Sequence, residues 1–154
     1  MNILHEVKKL EQSRLLSNNN EVMDFESAIE NILSVRNYKY IKYLCMGLDD
    51  DTEDEEVMYG LVHAIESYYK IVGAQKYFKE FINAIIHISD NAREWIKLLN
   101  IRILNDENSL KEYMSVVKKS DQITKSFLIK IMQEIKVDDS AMFSESVDQF
   151  LKSI

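Results

Sequence analysis

The sequence contains no proline and only three glycines in 154 residues. Proline ends helices by removing an N–H and clashing with the preceding turn, so almost nothing here forces a helix to stop. Breaks must come from clusters of Asn, Asp and Ser instead. Cysteine occurs once, at Cys45, which excludes an intramolecular disulfide and a cysteine-based zinc site. It reads as a small buried hydrophobe. No apolar run approaches the ~20 residues that span a bilayer. The segment Met1-Asn2-Ile3-Leu4-His5-Glu6 lacks the basic and apolar regions of a secretion signal. The expectation is a cytoplasmic protein without a membrane partner.

What is present points to one folded domain over residues 1–154. Hydrophobic residues make up 46% and charged residues 29%, a balance that excludes disorder. The net charge of −7 is unevenly placed: Asp49 to Glu66 holds eight carboxylates and no Lys or Arg, and elsewhere acids and bases nearly cancel. Such a field disfavours nucleic acid and favours a basic partner. The densest basic-aromatic mixture, Tyr38, Tyr40 and Tyr43 beside Lys39 and Lys42, adjoins the acidic run, which repels phosphate.

Apolar spacing predicts helices throughout. The first two cover about 2–16 and 21–35, separated by Ser17-Asn18-Asn19-Asn20, and Asn37 caps a short third through Cys45. Thr52 with Glu55 three residues on reads as a capping box, so Thr52 is expected to open a helix over about 53–72 that ends at Gly73. Gly60 lies inside that helix, at a cost of about 1 kcal/mol relative to Ala, and is expected to admit another backbone. Further helices are predicted over about 74–89, 91–104 with Asp90 as cap, 109–119, 122–136 with Asp121 as cap, and from about 140 to the end. Paired, they recur every 30–38 residues or so, the period of stacked helical hairpins. The predicted class is therefore all-α, as a HEAT- or armadillo-like solenoid or, alternatively, a compact irregular bundle.

Catalytic and metal-binding motifs are wanting. An EF-hand begun at Asp49 would need glycine where Asp54 stands and glutamate where Gly60 stands; only loose binding of a divalent ion stays open. No Glu-x-x-His pair, phosphate-cradling glycine loop or nucleophile motif occurs. His63 and Glu66 fall on adjacent turns of one helix, but no nucleophile or oxyanion site accompanies them. They read first as a hydrogen-bonded pair supporting the fold or an interface.

Two stretches together carry a family resemblance: the acidic lead into Glu55-Glu56-Val57-Met58-Tyr59-Gly60-Leu61-Val62-His63-Ala64-Ile65-Glu66, and Ala92-Arg93-Glu94-Trp95-Ile96-Lys97-Leu98-Leu99-Asn100-Ile101-Arg102-Ile103-Leu104-Asn105. Over roughly residues 45–110 the chain resembles the all-helical immunity proteins of bacterial polymorphic toxin systems, of the immunity protein 30 type. The resemblance implies a non-catalytic, cofactor-free protein that binds and neutralises the C-terminal domain of a cognate toxin. The charge distribution adds that this domain is basic. Candidate docking residues are then Asp49, Asp50, Asp51, Glu53, Asp54, Glu55, Glu56, His63 and Glu66, with Tyr59 and Tyr68 as anchors or, equally, as core tyrosines with wet hydroxyls. Trp95 reads as core. Arg102, between Ile101 and Ile103, needs a carboxylate, for which Glu66 and Asp106 are the candidates. A helical adaptor for some other basic protein or peptide is the second reading, and an enzyme or metal protein around His63 and Glu66 the third.

Overall fold

The computed structural model describes all 154 residues, and they form an all-helical protein without a strand. Helix α1 (Ile3–Ser13) starts at Asn2, whose side chain accepts from the N–H groups of Leu4 and His5. Asn18 caps α2 (Asn19–Ser34) in the same way through Glu21 N–H at 2.9 Å. A 3₁₀ turn at Tyr38–Tyr40, capped by Asn37, leads into the five-residue α3 (Ile41–Cys45). The chain continues through α4 (Glu55–Glu66), α5 (Tyr68–Val72), α6 (Ala74–Ile85), a 3₁₀ turn at Asp90–Ala92, α7 (Arg93–Leu104), α8 (Glu107–Lys118), α9 (Gln122–Asp138) and α10 (Ser140–Ser153).

Three expected starts and stops are corrected by tertiary structure. Helix α4 begins at Glu55 with Asp54 as its cap, Asp54 Oδ1 accepting from Val57 N–H at 3.1 Å. Thr52 sits too early because Glu53 N–H is drawn to the Leu15 carbonyl at 2.8 Å. The long helix expected over 53–72 is interrupted at Ser67, whose hydroxyl donates to the Ala64 carbonyl at 2.6 Å. Asp90 does not cap α7; it opens the preceding 3₁₀ turn, and the acceptor for the α7 N-terminus comes from elsewhere in the chain. Gly73, with φ of +84°, ends α5 as glycine does best.

Helices α1 and α2, α7 and α8, and α9 and α10 pack against each other in pairs, and α7 and α8 also touch α9 and α10. In the N-terminal half, α3 meets α1, α4 and α6 together, and α6 sits between α3 and α8. That clustering belongs to a compact helical bundle. One apolar core of 39 buried residues runs through both halves. A chain of rings, Tyr69, Tyr77, Phe78, Phe81, Tyr113 and Phe150, ties α5, α6, α8 and α10 together at centroid spacings of 5.0 to 6.3 Å. The fully buried Tyr113 hydroxyl donates to Asn100 Oδ1 at 2.7 Å, and Asn100 Nδ2 donates to the Ile96 carbonyl at 2.8 Å. Both polar groups are thereby satisfied in the core.

Candidate functional site

The acidic run divides into buried structural carboxylates and exposed ones. Asp49 is only 5% exposed. Its carboxylate takes Arg14 Nε at 3.0 Å, Asn91 Nδ2 at 3.0 Å and the N–H of Asp51 at 2.8 Å, and its carbonyl accepts from Trp95 Nε1 at 3.0 Å. Asp50 turns the other way. Both of its oxygens lie 3.1 Å from Glu94 N–H and one lies 3.3 Å from Trp95 N–H, so it caps α7 across 44 residues of sequence. Burial, with the charges of Glu94 and Asp49, holds its carboxyl above the usual aspartate value despite those two donors. Asp50 N–H donates to the Asn91 carbonyl at 2.6 Å. Residues 49–54 therefore clamp the end of α1 to the start of α7. Asp49 is thus buried and paired within the fold, while the half-exposed Asp50 is engaged as the cap of α7.

The remaining carboxylates behave differently. Asp51, Glu53, Glu55 and Glu56 are exposed and none has a Lys, Arg or His within ion-pair distance. Asp54 is half-buried and occupied with its cap. His63 continues the outward stripe of α4, two turns below Glu56. Gly60 lies on the same stripe, and a Cβ built there meets nothing within 4 Å; the backbone expected to approach it is absent.

The two candidate tyrosines part company. Tyr59 is half-buried and stands edge-on to Trp95, with ring centroids 5.4 Å apart at 80°. Tyr68 is 1% exposed and its hydroxyl has no hydrogen-bond partner; burial pushes its phenol above the usual range. It is a core residue, the second of the two readings for that position, with its hydroxyl buried rather than wet. Trp95 is 7% exposed, as a core residue should be.

Arg102 meets Glu66, one of its two candidate partners, through Nε and Nη2, each at 2.8 Å. The hydrogen bond to Glu66 raises its pKa further. Asp106, the other candidate, instead caps α8 through Ser109. Beside the Glu66–Arg102 pair opens a cavity of about 470 Å³ between α4–α5, α6, α7 and the start of α8, with an aromatic floor of Tyr69, Tyr77, Phe78 and Phe81. Spacing along the sequence gives no sign of it, because separate elements supply its walls. Nowhere do three His, Cys, Asp or Glu side chains converge as metal ligands, and no helix is long and apolar enough to cross a membrane.

The family model described as Immunity protein 30 matches residues 12–113. The match extends well upstream of the segment that carries the resemblance and takes in Arg14, the acidic run, Asn91, Trp95 and Arg102. Comparison with curated proteins and with solved structures finds no match.

Proposed function

The chain belongs to the Immunity protein 30 family, and from that premise we propose that it binds the C-terminal domain of a cognate bacterial toxin and blocks it without chemistry of its own. Family membership over most of the chain is the observation that carries the proposal. The docking surface we assign is the outward side of the loop before α4 and of α4 itself: Asp51, Glu53, Glu55, Glu56 and His63, bordered by Tyr59 and Glu66. Four exposed carboxylates without counter-ions form a local anionic field on a chain already at −7. Such a field raises association rates by about 10–10³-fold at low salt when the partner is basic. Tight holding then needs an interface of roughly 1,200–2,000 Å² with apolar or aromatic anchors. Tyr59, propped against Trp95, is the anchor on this surface.

The test is co-expression with the toxin domain encoded beside this chain, scored for cell survival and co-purification. In the triple variant Glu53→Lys, Glu55→Lys and Glu56→Lys, the helical circular-dichroism signal stays and association slows by about tenfold or more at low salt. Unchanged kinetics, with unchanged salt dependence, would reduce the patch to a solubility feature. Cell death despite co-expression would refute the immunity reading itself.

A further inference from the structure

The segment between α3 and α4 forms no regular structure, yet its backbone is bonded almost as fully as a helix. Four successive N–H groups find acceptors. Asp50 N–H donates to the Asn91 carbonyl at 2.6 Å, and Asp51 N–H to Asp49 Oδ1 at 2.8 Å. Thr52 N–H donates to the Asp49 carbonyl at 3.3 Å, and Glu53 N–H to the Leu15 carbonyl at 2.8 Å. The last of these depends on an unusual residue at the end of α1. Leu16 has φ of +54°, a left-handed conformation that costs a side chain energy and that glycine adopts freely. The Leu15 carbonyl sits in the peptide unit that this torsion turns, so the conformation of Leu16 sets where that oxygen points. Glycine is the common choice just past a helix end; leucine keeps the place here because its side chain is buried in the core at 4% exposure. Next to it, Arg14 donates Nη1 to the Met46 carbonyl at 3.2 Å and Nε to Asp49, tying the same corner to the start of the loop. A left-handed leucine held in place by its own burial is a local cost that the surrounding structure sustains, and such costs concentrate where geometry matters for function.

We infer that the Arg14–Leu16 corner is a mount that fixes this loop in its docking shape before the partner arrives, with Leu16 as the positioning residue. A loop loose in the free chain would surrender its backbone freedom on docking, which weakens the complex. The mutual repulsion of the exposed Asp51 and Glu53 carboxylates would spread such a loop further. Held at Leu15 on one side and Asn91 on the other, it presents both charges already placed. Charge governs how fast the partner arrives, and the mount changes no charge. Its effect therefore falls on how long the partner stays. That purpose rests on the immunity reading; the order of the loop in the free chain does not.

Two measurements decide it. In the free full-length chain, amide hydrogen exchange at Glu53 N–H should run roughly a hundredfold or more slower than in an unstructured chain. Exchange at the unstructured rate overturns the mount outright. The second compares Leu16→Gly, which relaxes the corner without altering charge, with Leu16→Met, which keeps a long apolar side chain there. Leu16→Gly should leave association with the neighbouring toxin domain and its salt dependence unchanged but speed dissociation by about tenfold or more, while Leu16→Met stays near wild type. Val147→Ala is the control for general destabilisation: Val147 is fully buried in α10, and its truncation should lower Tm without changing dissociation. If Val147→Ala speeds dissociation as much as Leu16→Gly does, or if folded Leu16→Gly dissociates at the wild-type rate, the inference falls and immunity stands. A wild-type chain with a protected Glu53 N–H that ignores the toxin domain refutes the immunity reading instead, and the purpose of the mount goes with it. Should Leu16→Gly fail to fold, Arg14→Lys takes its place: it keeps the charge, gives up the bond to the Met46 carbonyl and carries the same expectation.

Discussion

Replacing Asp50 by alanine takes away the cap of a helix that lies far along the chain. Glu94 N–H and Trp95 N–H lose their shared acceptor. Glu94 is exposed and its N–H turns to water, whereas Trp95 is 7% exposed and its N–H is less easily hydrated. An N-cap replaced by alanine costs about 1 kcal/mol and at most about 2; the ionised acceptor places Asp50 toward the upper end. Burial already holds this carboxyl above its usual value, so part of that gain is offset by desolvating the charge. The expected loss is about 1.5 kcal/mol. For a chain of this size that lowers Tm by roughly 3–6 °C. Asp50→Asn keeps an acceptor of equal capping quality and gives up only the charge–dipole attraction, about 0.3–1 kcal/mol. Asp51→Ala, next door but exposed, should stay within about 0.5 kcal/mol of wild type. Trp95 is the only tryptophan and its ring nitrogen bonds the Asp49 carbonyl, so its fluorescence reports on the clamp while circular dichroism in the far ultraviolet reports on the helices. Equal unfolding midpoints for Asp50→Ala and Asp51→Ala would refute the claim that Asp50 belongs to the fold.

Other substitutions test neighbouring parts of the structure. Gly60→Ala adds a methyl group that meets nothing within 4 Å on an exposed helix face, and should stabilise the protein by about 1 kcal/mol in urea unfolding; a loss would mean that the position is not open. Arg102→Ala breaks a bidentate pair whose side chains are 39% and 29% exposed, so solvent screening limits the loss to about 1 kcal/mol, with little rescue by Arg102→Lys because an ammonium cannot span both oxygens. The Arg93 guanidinium bonded to Glu134 holds that carboxyl below its usual value. Its contribution is therefore present above the unfolded pKa near 4.5 and lost as pH falls through the lower folded value. Glu134→Gln should accordingly melt below wild type at neutral pH, with the gap closing as the solution is acidified past that lower value. A gap independent of pH would exclude the ion pair as its source.

Local signals in the sequence are reliable where the partner lies within one turn. Asn37 and Asp121 cap the helical turns that begin beside them, because an acceptor two or three residues before a free N–H needs no tertiary help. Apolar spacing locates the core faces of α2 and α6, and the Arg102–Glu66 pair is legible from an arginine set between isoleucines. Thr52 fails as a cap for a physical reason: the carbonyls of Leu15 and Asn91, both distant in sequence, take the N–H groups of Glu53 and Asp50 on either side of it. Asp90 loses the α7 N-terminus to Asp50 in the same manner. The acidic neighbours of Tyr68 suggest a surface position, but the helix turns its ring inward; charge nearby in the chain does not mean exposure. The 470 Å³ cavity leaves no trace in the sequence, because its walls meet only once the helices have packed.

The split within the acidic run decides how its function must be probed. A stretch of carboxylates invites wholesale charge reversal, yet lysine at Asp49 would set a cation against Arg14 in a site 5% exposed. Lysine at Asp50 would point a cation at the N-terminus of α7, where the helix dipole is positive, and lysine at Asp54 would remove the α4 cap. Any binding lost in such a variant would report unfolding. Asp51, Glu53, Glu55 and Glu56 are exposed and unpaired, so their reversal leaves the clamp intact; Glu55 and Glu56, in the first turn of α4, give up only their attraction to the helix dipole, about 0.3–1 kcal/mol each. If the toxin is steered by the field of these four carboxylates, reversing them slows association in proportion to the charge removed, and the effect fades as salt shortens the Debye length to about 3 Å at roughly 1 M. If they are bystanders, only the three structural aspartates affect binding, and they do so in step with their effect on Tm.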